Sequence, residues 1–494
     1  MGTRWLGKIC GVLFSIIFGA AVGCGSRIGP SPAASYSALP AASPYLATVS
    51  IGATPGLPVS PQFLGLANEW GGGRQMMGST ETGVNTIYRT LIRNLLVYGA
   101  GPMVIRIGGN STDTSGEPDS DTALPFAEMA HDLGAHFYLG VNLGADNVTL
   151  ARDQAKAYIE QMPAGYLDAI EIGNEPDLYA SSGLRSPSYN FQDYLADFNT
   201  WKQSISPLLP SGTLLLGASW AHAQMLSNAP AYASAEHVSL HGFSQHFYPG
   251  DLCGDSAPLP SNFLLLNASA TSGALDVASS VSIMHKYGLP FRIGEINSIA
   301  CDSGGGLSDT FSSALWAIDT MFEYASVGVD GVNWHYSNEQ GGAPFSFAIA
   351  TANDKTTYRL DAVNPIYYGM LFFEQATAHH SSLLPVQVST NANLKAWATV
   401  DSSETVRLAL INKDTAASGT VQVSLAGFTH AAMLRLTAPS YLTLTGVTFA
   451  GQTFDGSTDG TIQGTQNIEN ISATDGSFQI PITPVSAALV IFER

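Results

Sequence analysis

The chain has 494 residues, 45% of them apolar and 12% charged, with a formal net charge of −19. That length suits one large domain plus a smaller one, not a single core. The acidic balance, with no Lys/Arg cluster to neutralise phosphates, excludes a nucleic-acid partner and disfavours a polyanionic substrate unless a local site overrides the global field.

The opening residues read as a targeting segment. Arg4 and Lys8 precede an apolar run over residues 9–22, short for a bilayer span and of signal-peptide length. The run closes on Ala21-Val22-Gly23-Cys24. Small residues before a cysteine resemble a bacterial lipoprotein processing site, with residues 1–23 removed and Cys24 as the lipid anchor. Export to the periplasm, the outer membrane or the medium is the expectation, with membrane contact only through that lipid. Residues 24–44, rich in Ser, Pro and Ala, read as a flexible tether.

Apolar runs and helical stretches then alternate. The first strand is expected at 63–66, ending in Asn68-Glu69-Trp70, and a helix at 82–98 carries Leu91, Ile92, Leu95 and Leu96 on one face. Further strands are expected at 103–107, 137–142, 170–172, 214–218, 242–248, 291–294 and 331–336. Helices at 126–133, 151–161, 191–205, 274–287 and 310–325 separate them. Eight strand–helix units across residues 61–380 predict a (β/α)8 TIM barrel. A doubly wound open sheet is the rival, but polar residues at nearly every strand end favour the barrel. From 381 to 494 the texture becomes short alternating strands between Gly/Asp/Ser/Thr turns, which predicts a C-terminal antiparallel β-sandwich. Residues 45–60 are strand-like and are expected to join that sandwich.

The chemistry concentrates in Ile170-Glu171-Ile172-Gly173-Asn174-Glu175-Pro176-Asp177. Pro176 fixes φ and lacks an N–H, so a strand must stop there and leave Glu175 at a strand-to-loop corner. Phe291-Arg292-Ile293-Gly294-Glu295 repeats the pattern downstream. Two carboxylates on two strand ends are the equipment of a glycosidase. Glu175 suits the acid/base, with Asn174 beside it to grip a sugar 2-hydroxyl, and Glu295 suits the nucleophile. Tyr248 closes the intervening strand and is placed to orient Glu295 by donating a hydrogen bond.

Other residues carry less. Trp220, Trp334 and Tyr336, near strand ends, offer rings on which a sugar can stack. His241 and His246 are five apart on a strand and so face opposite sides, which disfavours joint metal ligation and reads as two structural histidines. His379-His380 reads as a surface pair. Gly304-Gly305-Gly306 lacks the Lys-Ser/Thr of a phosphate cradle. Cys253 and Cys301 are expected to form a disulfide in an exported chain. Neither metal nor cofactor is implied.

The Gly173-Asn174-Glu175-Pro176 corner, with a glutamate ending strand seven, resembles the retaining-glycosidase clan built on (β/α)8 barrels. Gly294-Glu295-Ile296-Asn297-Ser298 followed by Leu307-Ser308-Asp309-Thr310-Phe311 resembles glycoside hydrolase family 79, which contains β-glucuronidases and heparanases. Ile107-Gly108-Gly109-Asn110-Ser111-Thr112-Asp113 and the sandwich tail fit the same family. The resemblance implies Glu175 as acid/base, Glu295 as nucleophile, and Glu69, Asn110, Asp113, Asn174 and Tyr248 around the sugar. Family members that hold a uronic acid typically carry a Tyr five residues after the nucleophile and a Gly two further on; here those places are Ala300 and Asp302. That departure leaves two substrates open, a uronoside read by other groups such as His335 and Tyr336, or a neutral glucoside or xyloside. A non-catalytic carbohydrate-binding protein is the alternative of another class.

Overall fold

The computed structural model describes residues 44–114, 123–254, 256–302, 305–337 and 341–493. The expected signal segment 1–23, Cys24 and nearly all of the 24–44 tether lie outside the described residues. Among the described residues, no helix is long and apolar enough to cross a membrane.

Eight strands close into a barrel: Leu64–Glu69, Val104–Gly108, His136–Val141, Leu167–Ile172, Leu214–Trp220, Leu240–Phe247, Phe291–Ile296 and Gly331–His335. Each pairs in parallel with the next, and the eighth returns to the first through Val332↔Leu64 and Trp334↔Leu66. Strand side chains alternate between faces, and the barrel divides its residues accordingly. Val104, Tyr138, Ala169 and Leu216 pack together as a layer inside the barrel. Ile105, Ile107, Leu139 and Ile170, an odd number of residues along, join the large core shared with the helices. Arg106 and Glu171, two residues beyond Val104 and Ala169, therefore point inward.

The C-terminal domain is a sandwich of two sheets. One holds Val386–Ser389, Tyr45–Ile51, Gly419–Ser424 and Phe478–Ile482 in that order. Tyr45–Ile51 pairs antiparallel with Val386–Ser389 and parallel with Gly419–Ser424. The second, seven-stranded sheet includes Leu394–Val400, Val406–Asn412, His430–Thr437 and Ser486–Phe492. This sheet is buried on both faces. Leu408, Leu410, Val490 and Phe492 fill the sandwich interior, while Ala409, Ile411, Ala487 and Leu489 pack toward the barrel helices. Each such Leu, Ile, Val or Phe side chain removed from water stabilises the fold by about 1.5–3 kcal/mol. An ion pair with no solvent exposure crosses the same junction: Lys413 Nζ lies 2.5 Å from Asp319, and Trp397 donates to that carboxylate at 2.9 Å.

One element escapes the sequence reading. After the eighth strand, Phe345–Ala352 and Lys355–Val363 form an antiparallel hairpin. Asn353 and Asp354 take positive φ, 52° and 59°, as a two-residue type I′ turn requires. The hairpin is tied to the segment after the first strand, where Tyr358 donates to the Gln75 carbonyl at 2.8 Å.

Candidate active site

Backbone constraints at two corners aim the two glutamates. Past the fourth strand, Gly173 has φ 77°, and a Cβ there would lie 2.7 Å from Leu143 Cβ. Glu175 itself sits in the left-handed region at φ 49°, a conformation of order 1–3 kcal/mol above the usual ones for a non-glycine residue. Its N–H donates to the Ser219 carbonyl at 2.9 Å, and Pro176 opens the 3-10 turn Pro176–Leu178. On the seventh strand the pairing slips between Ile293 and Glu295, a β-bulge that re-aims the side chain after it. Gly294 permits the slip, since a Cβ there would collide with Ser244 Oγ at 2.1 Å.

Carboxylate oxygens of Glu175 and Glu295 and the His246 Nδ1 all lie within 4.8 Å of one another. His246 Nδ1 is 3.0 Å from Glu175 Oε1 and 3.9 Å from Glu295 Oε2. The structural role expected for His246 is thus corrected: its ring stands between the two carboxylates. His241 points the other way, to Tyr138 Oη at 3.1 Å. Glu175, His246 and Glu295 are, among the described residues, the one trio with donor atoms close enough for a metal ion. Glu295 Oε2 is already taken by the Arg106 guanidinium at 2.8 Å.

Arg106 organises the floor. Its Nε donates to Glu171 at 2.7 Å, Nη1 to Glu295 at 2.8 Å and Nη2 to Asn174 Oδ1 at 2.8 Å. Its side chain has no exposure to solvent. Burial weakens its charged form, but Glu171 and Glu295 outweigh that and raise its pKa. For Glu295, burial favours the neutral acid. The positive field of His335, His246 and Arg106, with the Tyr248 hydrogen bond, wins and holds the carboxyl well below the usual range. Tyr248 donates to Glu295 Oε1 at 2.8 Å, and burial, then Glu295, push its phenol well up.

A cavity of about 530 Å3 opens above this floor, and Glu69, Asn110, Glu175, Tyr248, Glu295 and His335 all line it. Glu69 is fixed by the N–H groups of Asn110 and Ser111 at 3.2 and 2.9 Å and by the Ser111 hydroxyl. Five of the residues expected at the sugar do not line the cavity. Asp113 is buried beneath it, accepting from the Asn174, Leu143 and Gly144 N–H groups and from Tyr179. Burial nevertheless pushes its carboxyl up to about 6. Trp334 follows the strand alternation outward, onto Trp316 at 5.6 Å between ring centroids. Tyr336, two residues on, shares that outward face and packs on Phe345. Trp220 is likewise core, against Phe243 and Tyr232. Asn174 is buried between Arg106 and Asn110.

Cys253 and Cys301 are bonded at the cavity rim, where they join the loops that follow the sixth and seventh strands. Ala300 pairs with Asp251 across those loops, and Asp302 accepts from the Ser308 N–H at 3.1 Å.

Residues 396–489 match the model of the glycosyl hydrolase family 79 C-terminal beta domain. A β-glucuronidase of Neurospora crassa is 26% identical over 397 residues, 68% of this chain and 69% of that protein. One from Aspergillus niger is 26% identical over 302 residues, and the match spans about half of each, 51% of this chain and 54% of the relative. A 4-O-α-L-rhamnosyl-β-D-glucuronidase from Fusarium oxysporum shares the fold, with a TM-score of 0.70 at 21% identity over 90% of this chain and 99% of that one. The domain match and these relatives, on a barrel that carries a glutamate at the ends of its fourth and seventh strands, make the chain a glycoside hydrolase related to family 79.

Proposed function

We propose that the chain is an exported, retaining β-glycosidase of β-glucuronidase type, acting from the non-reducing end of its substrate. The observation that carries the mechanism is the spacing of the two glutamates, whose carboxylate oxygens approach within 4.8 Å. Retaining enzymes hold their pair at about 5–5.5 Å, whereas inverting enzymes leave about 6.5–9.5 Å for a water. In this reading Glu295, kept ionised, attacks the anomeric carbon and forms a glycosyl–enzyme ester. Glu175 protonates the departing oxygen and then takes a proton from the water that hydrolyses the ester.

The relatives favour a glucuronide as the sugar. A neutral glycoside is the second reading, because Glu69, Glu175, Asp251, Glu295 and Asp302 line the cavity and, among the described residues, no Lys or Arg does. A sugar carboxylate placed there meets negative charge on several sides. Release of chromophore from p-nitrophenyl β-glucuronide, 4-O-methylglucuronide, glucoside, galactoside and xyloside separates the two readings. Proton NMR of the first-formed sugar tests retention, and an α product sinks it. Glu175→Gln and Glu295→Gln test the roles: wild-type hydrolysis in either variant refutes the assignment.

Export rests on Arg4, Lys8, the apolar stretch 9–22 and Cys24, with a disulfide suited to an oxidising compartment. Incorporation of labelled palmitate into the wild type but not into C24A supports the lipid anchor, and equal labelling of both refutes it.

A further inference from the structure

A histidine ends the eighth barrel strand, and the contacts around it run in one direction. His335 Nδ1 is 3.1 Å from Tyr248 Oη and 3.8 Å from Glu295 Oε1. Tyr248 Oη is in turn 2.8 Å from Glu295 Oε1. A phenol has one hydrogen, and a carboxylate can only accept. The hydrogen of Tyr248 is therefore spent on Glu295, and at the remaining contact the imidazole must be the donor. Hydrogen bonds thus run from His335 Nδ1–H to Tyr248 Oη–H to Glu295 Oε1. If Nδ1 were the bare nitrogen, it would compete with Glu295 for the same hydrogen.

We propose that His335 is a positioning residue of this glycosidase. By donating to Tyr248 it keeps that hydroxyl turned onto Glu295 and keeps the nucleophile ionised. This rests on Glu295 being the nucleophile. It revises the expectation that His335 reads a sugar carboxylate: its Nδ1 is committed to Tyr248. The ring is held for that task, since its residue is 7% exposed and its carbonyl accepts from Asn297 Nδ2 at 2.7 Å. Other groups facing Glu295 are Arg106 on the second strand, His246 and Tyr248 on and after the sixth, and Glu175 after the fourth. His335 differs from them in reaching the nucleophile through a hydroxyl whose direction it sets.

The test uses the full-length enzyme and the p-nitrophenyl glycoside it hydrolyses fastest, comparing H335A, H335N, Y248F and the double variant H335A/Y248F. H335A should lower kcat by about 10- to 100-fold, the span of one lost hydrogen bond in a chain ending on a charged group. The acidic limb of kcat/KM should move to higher pH, because the nucleophile then binds its proton more tightly. In H335N the amide N–H takes the place of Nδ1–H and should restore most of kcat and the limb. H335A/Y248F should be no worse than Y248F alone, since both remove the same link. An acidic limb left in place in H335A, or multiplicative losses in the double variant, overturns the proposal. Activity of E295Q separates the two ideas. If it matches the wild type, the nucleophile assignment falls; if E295Q is inactive, an unmoved limb in H335A counts against the role of His335 alone.

Discussion

Replacing Arg106 by Met removes the one guanidinium that serves Glu171, Glu295 and Asn174 together, at 2.7, 2.8 and 2.8 Å. Two of these bonds go to carboxylates, and hydrogen bonds to charged groups contribute about 1.5–3 kcal/mol each. Breaking a buried pair from one side costs about 3–5 kcal/mol, because the stranded charge stays buried. Arg106→Met should therefore destabilise the protein by about 4 kcal/mol at pH 8. The sign of the pH dependence follows from Glu295. In the wild type its folded pKa lies below the unfolded value, so it contributes stability above about pH 4.3 that is lost as pH falls. In Arg106→Met the carboxyls of Glu171 and Glu295 lose their counter-charge, and the deficit should grow as pH rises above about 4.3. Guanidinium chloride unfolding at pH 4.5, 6 and 8 measures this, with kcat/KM in parallel expected to fall at least about 1,000-fold. Arg106→Lys should recover part of the stability and little of the activity, since an ammonium cannot span three acceptors set in a fork. An unchanged denaturation midpoint at pH 8, or a loss independent of pH, would refute this account.

Gly109→Ala should cost activity more than stability: φ there is 81°, and the new Cβ would lie 2.2 Å from Glu69 Oε1. The expected readout is a KM rise of about tenfold or more with intact far-UV dichroism. Lys413→Met should destabilise by about 3–5 kcal/mol, as it strands buried Asp319 at the junction of sandwich and barrel. Lys413→Met/Asp319→Leu should regain much of that in denaturant titration. Reduction of the Cys253–Cys301 bond, or C253S/C301S, should raise KM with less effect on kcat, because the bridge joins rim loops while Arg106, Tyr248 and His335 hold Glu295 from the strands. Steady-state kinetics with and without reductant decide it.

The barrel is legible because each strand is a short apolar run ended by a polar residue, and the catalytic pair because Asn174-Glu175-Pro176 and Gly294-Glu295 stand at such ends. Arg106 and Glu171 escape a reading by strand ends, although each is a charge inside an apolar strand. Such a residue is buried and must find a partner. Strand alternation, applied to Asn333-Trp334-His335-Tyr336, separates His335 at the site from Trp334 and Tyr336 in the core; propensity for sugar stacking does not. The place of His246 needs the bulge before Glu295, a three-dimensional fact with no local signature beyond Gly294. The hairpin after the eighth strand does have one, Asn353-Asp354 between alternating residues, but a barrel count that closes at eight strands leaves no place for it.

The strand Tyr45–Ile51 has a further consequence. It lies between Val386–Ser389 and Gly419–Ser424, so the beginning of the globular chain is an interior strand of a sheet whose other members are made last. Roughly 370 residues separate Tyr45 from its partner Gly419, and loop-closure entropy must be met before such a contact stabilises anything. The barrel can form its neighbour-to-neighbour pairings as the chain emerges, but the sandwich cannot close until almost all of it is present. A chain truncated after the barrel would leave its own first strand with both edges bare, ready to pair with another molecule. Completeness is thus checked at the sheet: only a whole chain hides its first strand.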